Sequence, residues 1–98
     1  MLVIVLENAP PRLRGYMTRL MLEIRAGVYI GDYSIKVREK LWSVIQNEIG
    51  EGNAVIAWSS PNDIGFDFET CGVNSRRPVI LDGIKLSQFH PTEIRGEK

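Results

Sequence analysis

Residues 2–6 read Leu-Val-Ile-Val-Leu, an aliphatic run that stops at Glu7-Asn8. A strand with one wet face alternates polar and apolar residues. A run without alternation belongs to a central strand buried on both faces. The rest of the chain must therefore supply partners on both edges of this strand and cover for both of its faces. With Met1 the run is only six residues long, far short of the ~20 that cross a bilayer, and no basic leader precedes it. The expectation is a cytoplasmic protein without membrane association.

Behind the run, Ala9-Pro10-Pro11 places proline where a helix can begin, and Leu13, Met17, Leu20, Met21 and Ile24 recur at helical spacing. Arg12 and Arg19, seven apart, share one flank of that stripe, and Arg14 lies on the other. Residues 24–33 are β-rich and carry Gly27 and Gly31, which fits one strand or a short bent pair. Asp32 or Ser34 can cap a second helix with Val37, Leu41, Val44, Ile45 and Ile49 inward, Lys36, Arg38 and Lys40 away from them, and Gly50 as the stop.

Ala54–Trp58 and Phe66–Cys71 read as an antiparallel hairpin across the turn-rich residues 59–65. In the second of these, Phe66, Phe68 and Thr70 alternate with Asp67, Glu69 and Cys71, the pattern of a strand at the outside of a sheet. After a turn at Asn74–Pro78, Val79–Leu81 and Ile84–Phe89 form a last extended pair around Asp82-Gly83. The order predicts an α+β domain over residues 1–90, two helices on one face of an antiparallel sheet, and a polar tail over 91–98.

Twelve Lys and Arg balance twelve Asp and Glu, but not evenly along the chain. Residues 1–40 hold seven basic and four acidic residues, a net of +3, which leaves −3 for the remainder. The first part can meet a polyanion; the competing explanation is an ordinary solvated mixture of charges. A chain of 98 residues buries a modest core, so a leftover apolar face is expected to be covered by a second copy. Cys71 is the sole cysteine, which excludes an intramolecular disulfide and a cysteine-cluster zinc site and suits a strand filler.

Nucleophilic triads need a histidine, and the single one, His90, stands beside a proline near the C-terminus as an expected surface residue. Gly27–Gly31 lacks the lysine and the spacing of a phosphate loop. Glu7 is the candidate metal ligand, since sheets present functional groups at the C-terminal ends of central strands, and Asn8 adds an oxygen. The pair cannot complete a site without a second copy or substrate phosphates. Alternatively, either residue caps the first helix.

Arg12 and Arg14 sit at a helix N-terminus, where cations and free N–H groups can converge on one phosphate. Such cations oppose the helix dipole, which favours a ligand role over a merely solvated face. Arg76-Arg77, in a turn, hint at the same. Trp42 and Trp58 lack basic-aromatic interleaving and read as core or interface residues.

Four segments together resemble a known family: residues 1–15 (MLVIVLENAPPRLRG), 23–32 (EIRAGVYIGD), 51–58 (EGNAVIAW) and 65–70 (GFDFET). They are similar to the type I-E subgroup of CRISPR-associated protein two, the smaller universal spacer-acquisition protein, over Met1 to about Phe89. The resemblance implies a ferredoxin-like βαββαβ fold with extra C-terminal strands, so that residues 24–33 supply the middle strand pair. It also implies a homodimer that supports duplex protospacer DNA and bridges two dimers of the larger acquisition integrase.

By motif position, Arg12 and Arg14 would be the leading DNA contacts, followed by Lys36 and Arg38, then Arg76 and Arg77. The C-terminal strands, with Ile80, Leu81, Ile84, Leu86 and Phe89, would meet the integrase. In the wider family an aspartate at the end of the first strand serves a nuclease acting on RNA or DNA with a divalent metal, Mg or Mn. Glu7, followed by Asn8, stands in that place, so the alternative function is a metal-dependent endonuclease acting as a dimer.

Overall fold

The structure, a computed structural model, describes the backbone of residues 1–73, 76–81 and 84–89 and the side chains of residues 1–73. His90 and the expected tail at 91–98 lie outside the described residues. The elements run β1 (Leu2–Glu7), α1 (Pro11–Leu20), β2 (Leu22–Arg25), β3 (Val28–Gly31), α2 (Ile35–Glu48), β4 (Asn53–Ser59), β5 (Phe66–Gly72), β6 (Arg76–Leu81) and β7 (Ile84–Phe89). The first five strands form one sheet in the order β2-β3-β1-β4-β5, and β6 and β7 pair with each other in a second, two-stranded sheet. All the pairings are antiparallel. The fold is α+β and ferredoxin-like, βαββαβ with added strands.

β1 takes the central place that its aliphatic run demands. Leu2, Ile4 and Leu6 are buried on one face, together with Tyr29 of β3 and Ala54 and Ile56 of β4. Leu13 and Met17 of α1, and Leu41, Trp42 and Ile45 of α2, complete this core from above. Val3 and Val5 point to the opposite face and are only half-buried. Register places Ile30 and Ala57 beside Val3, and Val28 and Val55 beside Val5. That second face is apolar and carries no helix among the described residues.

Helical spacing overextends the first helix. α1 stops at Leu20, Met21 turns extended (φ −136°, ψ 160°), and Ile24 lies in β2 at 57% exposure. Pairing of β2 with β3 decides the matter, since backbone ladders outweigh a weak local preference. Residues 24–33 thus belong to a hairpin, not a single strand. Its turn requires Gly27: φ is +80°, a Cβ there would lie 2.5 Å from the Leu6 carbonyl oxygen, and the Gly27 carbonyl accepts from Leu6 N at 2.8 Å. Ser34, not Asp32, caps α2, its Oγ accepting from Val37 N at 3.3 Å. Val37 itself stays 44% exposed.

β5 is an edge strand, as its alternation requires, but its apolar set faces away from the helices. Phe68 pairs with Ala57 on the open face, whereas Glu69 pairs with Ile56 on the helix side. Trp42 Nε1 donates to Glu69 Oε1 at 3.0 Å and satisfies that carboxylate. Phe66, 43% exposed, extends the apolar face of the sheet toward its edge.

Candidate nucleic-acid interface

The chain leaves β1 through Asn8, whose φ of +55° turns the backbone sharply toward α1. Neither Asn8 nor Glu7 caps the helix: the N-cap is Pro10, with no side-chain hydrogen bond. Asn8 spends its tolerance of the left-handed region on the turn instead. Pro10 O accepts from Leu13 N at 3.0 Å and Arg14 N at 3.1 Å. Pro11 has no N–H to satisfy, and the Arg12 amide finds no acceptor among the described residues. No acidic residue stands in this first turn. The positive end of α1 is thus left open, with an exposed arginine on either flank.

Those two arginines do not converge. Arg12 lines a groove between the helices with Tyr16, Arg19, Val44 and Glu48, which confirms the shared flank of Arg12 and Arg19. Arg14 lines a separate cleft of about 380 Å³ whose walls include Glu7, Asn8, Ala26 and Gly27. Two positions apart on a helix point some 200° away from each other. The pair therefore does not converge on a single point, as their proximity in sequence suggests it could.

At the start of α2, Lys36 is exposed. Arg38 is half-buried, with its guanidinium carbon 4.1 Å from the centroid of the Trp58 ring. This cation-π contact is worth about 0.5–1 kcal/mol at such a site, so Lys36 is the freer cation. Nothing in the sequence joins Arg38 to Trp58, because only the placement of β4 beneath α2 brings them together. Trp42 is buried, as expected.

Arg76 and Arg77 lie in β6, opposite Phe89 and Gln88, and not in a turn. Ladder pairing continues past Pro78 to Arg76, three residues beyond the apolar segment that marks the strand in the sequence. Their side chains, and those of Ile80, Leu81, Ile84, Leu86 and Phe89, lie outside the described residues.

Glu7 ends β1 in an exposed position opposite Asn53. Gly52 holds this strand end closely: a Cβ there would lie 2.5 Å from the carbonyl oxygens of both Glu7 and Asn8. The described residues contain no group of three His, Cys, Asp or Glu side chains able to hold a metal ion. One carboxylate and one amide oxygen per protomer fall short of the oxygen set that Mg²⁺ or Mn²⁺ needs, so the donors present do not fit a complete site. Cys71 is half-buried against the core, and burial raises its thiol pKa, in keeping with a filler role. No helix among the described residues is long and apolar enough to cross a membrane.

Sequence reasoning passed over Tyr29, the largest fully buried side chain. Its place between two glycines in a short β-rich stretch is its only local signal. A comparison with protein families matches residues 1–86 to the family described as CRISPR-associated protein (Cas_Cas2CT1978). The match spans both helices, all five strands of the main sheet and the open terminus of α1, and on it this chain belongs to that CRISPR-associated family.

Proposed function

We propose that the chain is a spacer-acquisition scaffold of the type I-E subgroup, which as a homodimer binds duplex protospacer DNA and bridges two dimers of the larger acquisition integrase. The observation that carries the DNA-binding reading is the open terminus of α1, with Arg12 and Arg14 exposed on separate flanks and no acidic residue in the first turn. Arginines and the free Arg12 amide in that arrangement favour backbone phosphates and read no base edges. Lys36 adds to the footprint, and Arg76 and Arg77 are its outer members. The apolar sheet face opposite the helices supports the dimer, because β1 has the composition of a strand covered on both sides and a single copy covers one.

Salt titration of duplex binding tests this reading. Each phosphate contact contributes ~0.9 to the slope of log affinity against log salt. In Arg12→Ala, a dimer loses two contacts and its slope is expected to fall by up to ~1.8. Glu7→Ala is the contrasting arm: a carboxylate near phosphates attracts nothing there, so binding and spacer acquisition should persist. Collapse of acquisition in a folded Glu7→Ala protein that still binds the integrase, together with loss of Mg²⁺- or Mn²⁺-dependent cleavage, would establish the endonuclease in place of the scaffold.

A further inference from the structure

Tyr29 is fully buried, and its hydroxyl is a buried side-chain polar atom left without a hydrogen-bond partner. Phenylalanine would fill the same space without burying an unsatisfied group, so the hydroxyl works against stability in this state. Its neighbours are specific. Glu23 faces Tyr29 across the β2–β3 ladder, and Glu23 Oε2 accepts from Gly27 N at 2.9 Å. That turn is itself fixed, because Gly27 O is bonded to Leu6 N and no side chain fits at the position. Arg14, exposed on α1, lines the cleft that Gly27 also borders. Burial and the Glu23 carboxylate raise the pKa of the phenol while Arg14 lowers it. Both charged groups therefore stand within hydrogen-bonding reach of the hydroxyl, and neither meets it in the geometry of a closed bond.

We infer that Tyr29 is a positioning residue for Arg14 in duplex binding, an inference that rests on Arg14 contacting a DNA phosphate. A guanidinium has N–H donors on more than one edge. When a phosphate takes the outer edge, an inner N–H donates to Tyr29 Oη, and the phenol proton is donated to Glu23. The carboxylate is already anchored on Gly27 N. The completed chain runs from Arg14 through Tyr29 and Glu23 to the backbone, and it fixes the direction of the fork that meets the phosphate. No proton changes owner. The hydroxyl, without a closed bond in the free protein, gains its full partners in the bound one.

The test compares wild type, Tyr29→Phe, Arg14→Ala and the double variant, by thermal unfolding and by binding to a duplex of arbitrary sequence at fixed salt. Tyr29→Phe should unfold at the same temperature or higher, yet bind DNA about 3- to 10-fold more weakly per protomer, the effect of one net hydrogen bond. In the Arg14→Ala background the same change should have no further effect, since the group it positions is gone. Unchanged affinity of Tyr29→Phe, or an equal loss in both backgrounds, would overturn the inference and leave the duplex-binding reading standing. If Arg14→Ala binds as wild type does, Arg14 leaves the footprint and the role of Tyr29 goes with it. A wild-type protein that does not bind duplex DNA would overturn the reading beneath both.

Discussion

Glutamate in place of Val55 is expected to convert a dimer into a folded monomer and to lower duplex affinity roughly 100-fold or more, the scale on which linked binding sites reinforce each other. Val55 lies near the middle of the helix-free sheet face, paired with Val5 on one side and Thr70 on the other. At 37% exposure in the single chain it already touches water. A carboxylate there remains solvated in one protomer, so the helix-side core of Leu2, Ile4, Met17 and Ile45 is untouched. Pressed against the same face of a second copy, it would be an unpaired charge among Val3, Val5, Val28 and Phe68, which association cannot offset. Sedimentation or light scattering reports the oligomer and circular dichroism the fold. A dimer of wild-type strength in the variant would place the contact on another surface.

That face also shows where the sequence was informative. The unbroken run of Leu2–Leu6 declares two apolar faces, and the structure gives β1 the central position that this requires. Glycine and proline punctuation located the β4–β5 turn and the start of α1, and a capping residue that of α2, because those residues act on the backbone close to their own positions. Spacing failed where two periods overlap. Leu20, Met21 and Ile24 continue a helical stripe into a stretch that pairs as a strand, and only the β2–β3 ladder, which local sequence does not contain, resolves them. The same limit hid these side-chain neighbourhoods. Arg12 and Arg14 are two positions apart in sequence but open onto different grooves, Arg38 rests on a tryptophan twenty positions away, and Tyr29 faces Glu23 from a separate strand. Side chains brought together by packing leave no periodic trace.

Removal of the chain after Arg77 is expected to abolish capture of the integrase and to weaken the dimer, whereas removal of Thr92–Lys98 alone should change either little. The longer truncation deletes most of β6 and all of β7, which pair with each other in a separate two-stranded sheet, while the five-stranded sheet keeps all of its strand pairings. A lone two-stranded ribbon is marginal in water. This one carries Val79, Ile80 and Leu81 against Leu86, Lys85 and Ile84 in register, so apolar residues occupy both of its alternating sets of positions. Such a ribbon gains its stability from something laid against it, and the edge of a small sheet can take up an incoming strand. In strand addition the main chain supplies affinity and alternate side chains supply register. Under the proposed scaffold function, deleting the ribbon removes the docking element as a unit, not one contact among many. The residues after Pro91 are polar and charged, Thr-Glu-Ile-Arg-Gly-Glu-Lys, with a single aliphatic side chain to contribute. Size-exclusion chromatography of each truncation with the integrase separates the outcomes. A full-affinity complex formed without the ribbon would move the docking surface onto the main sheet or its helices.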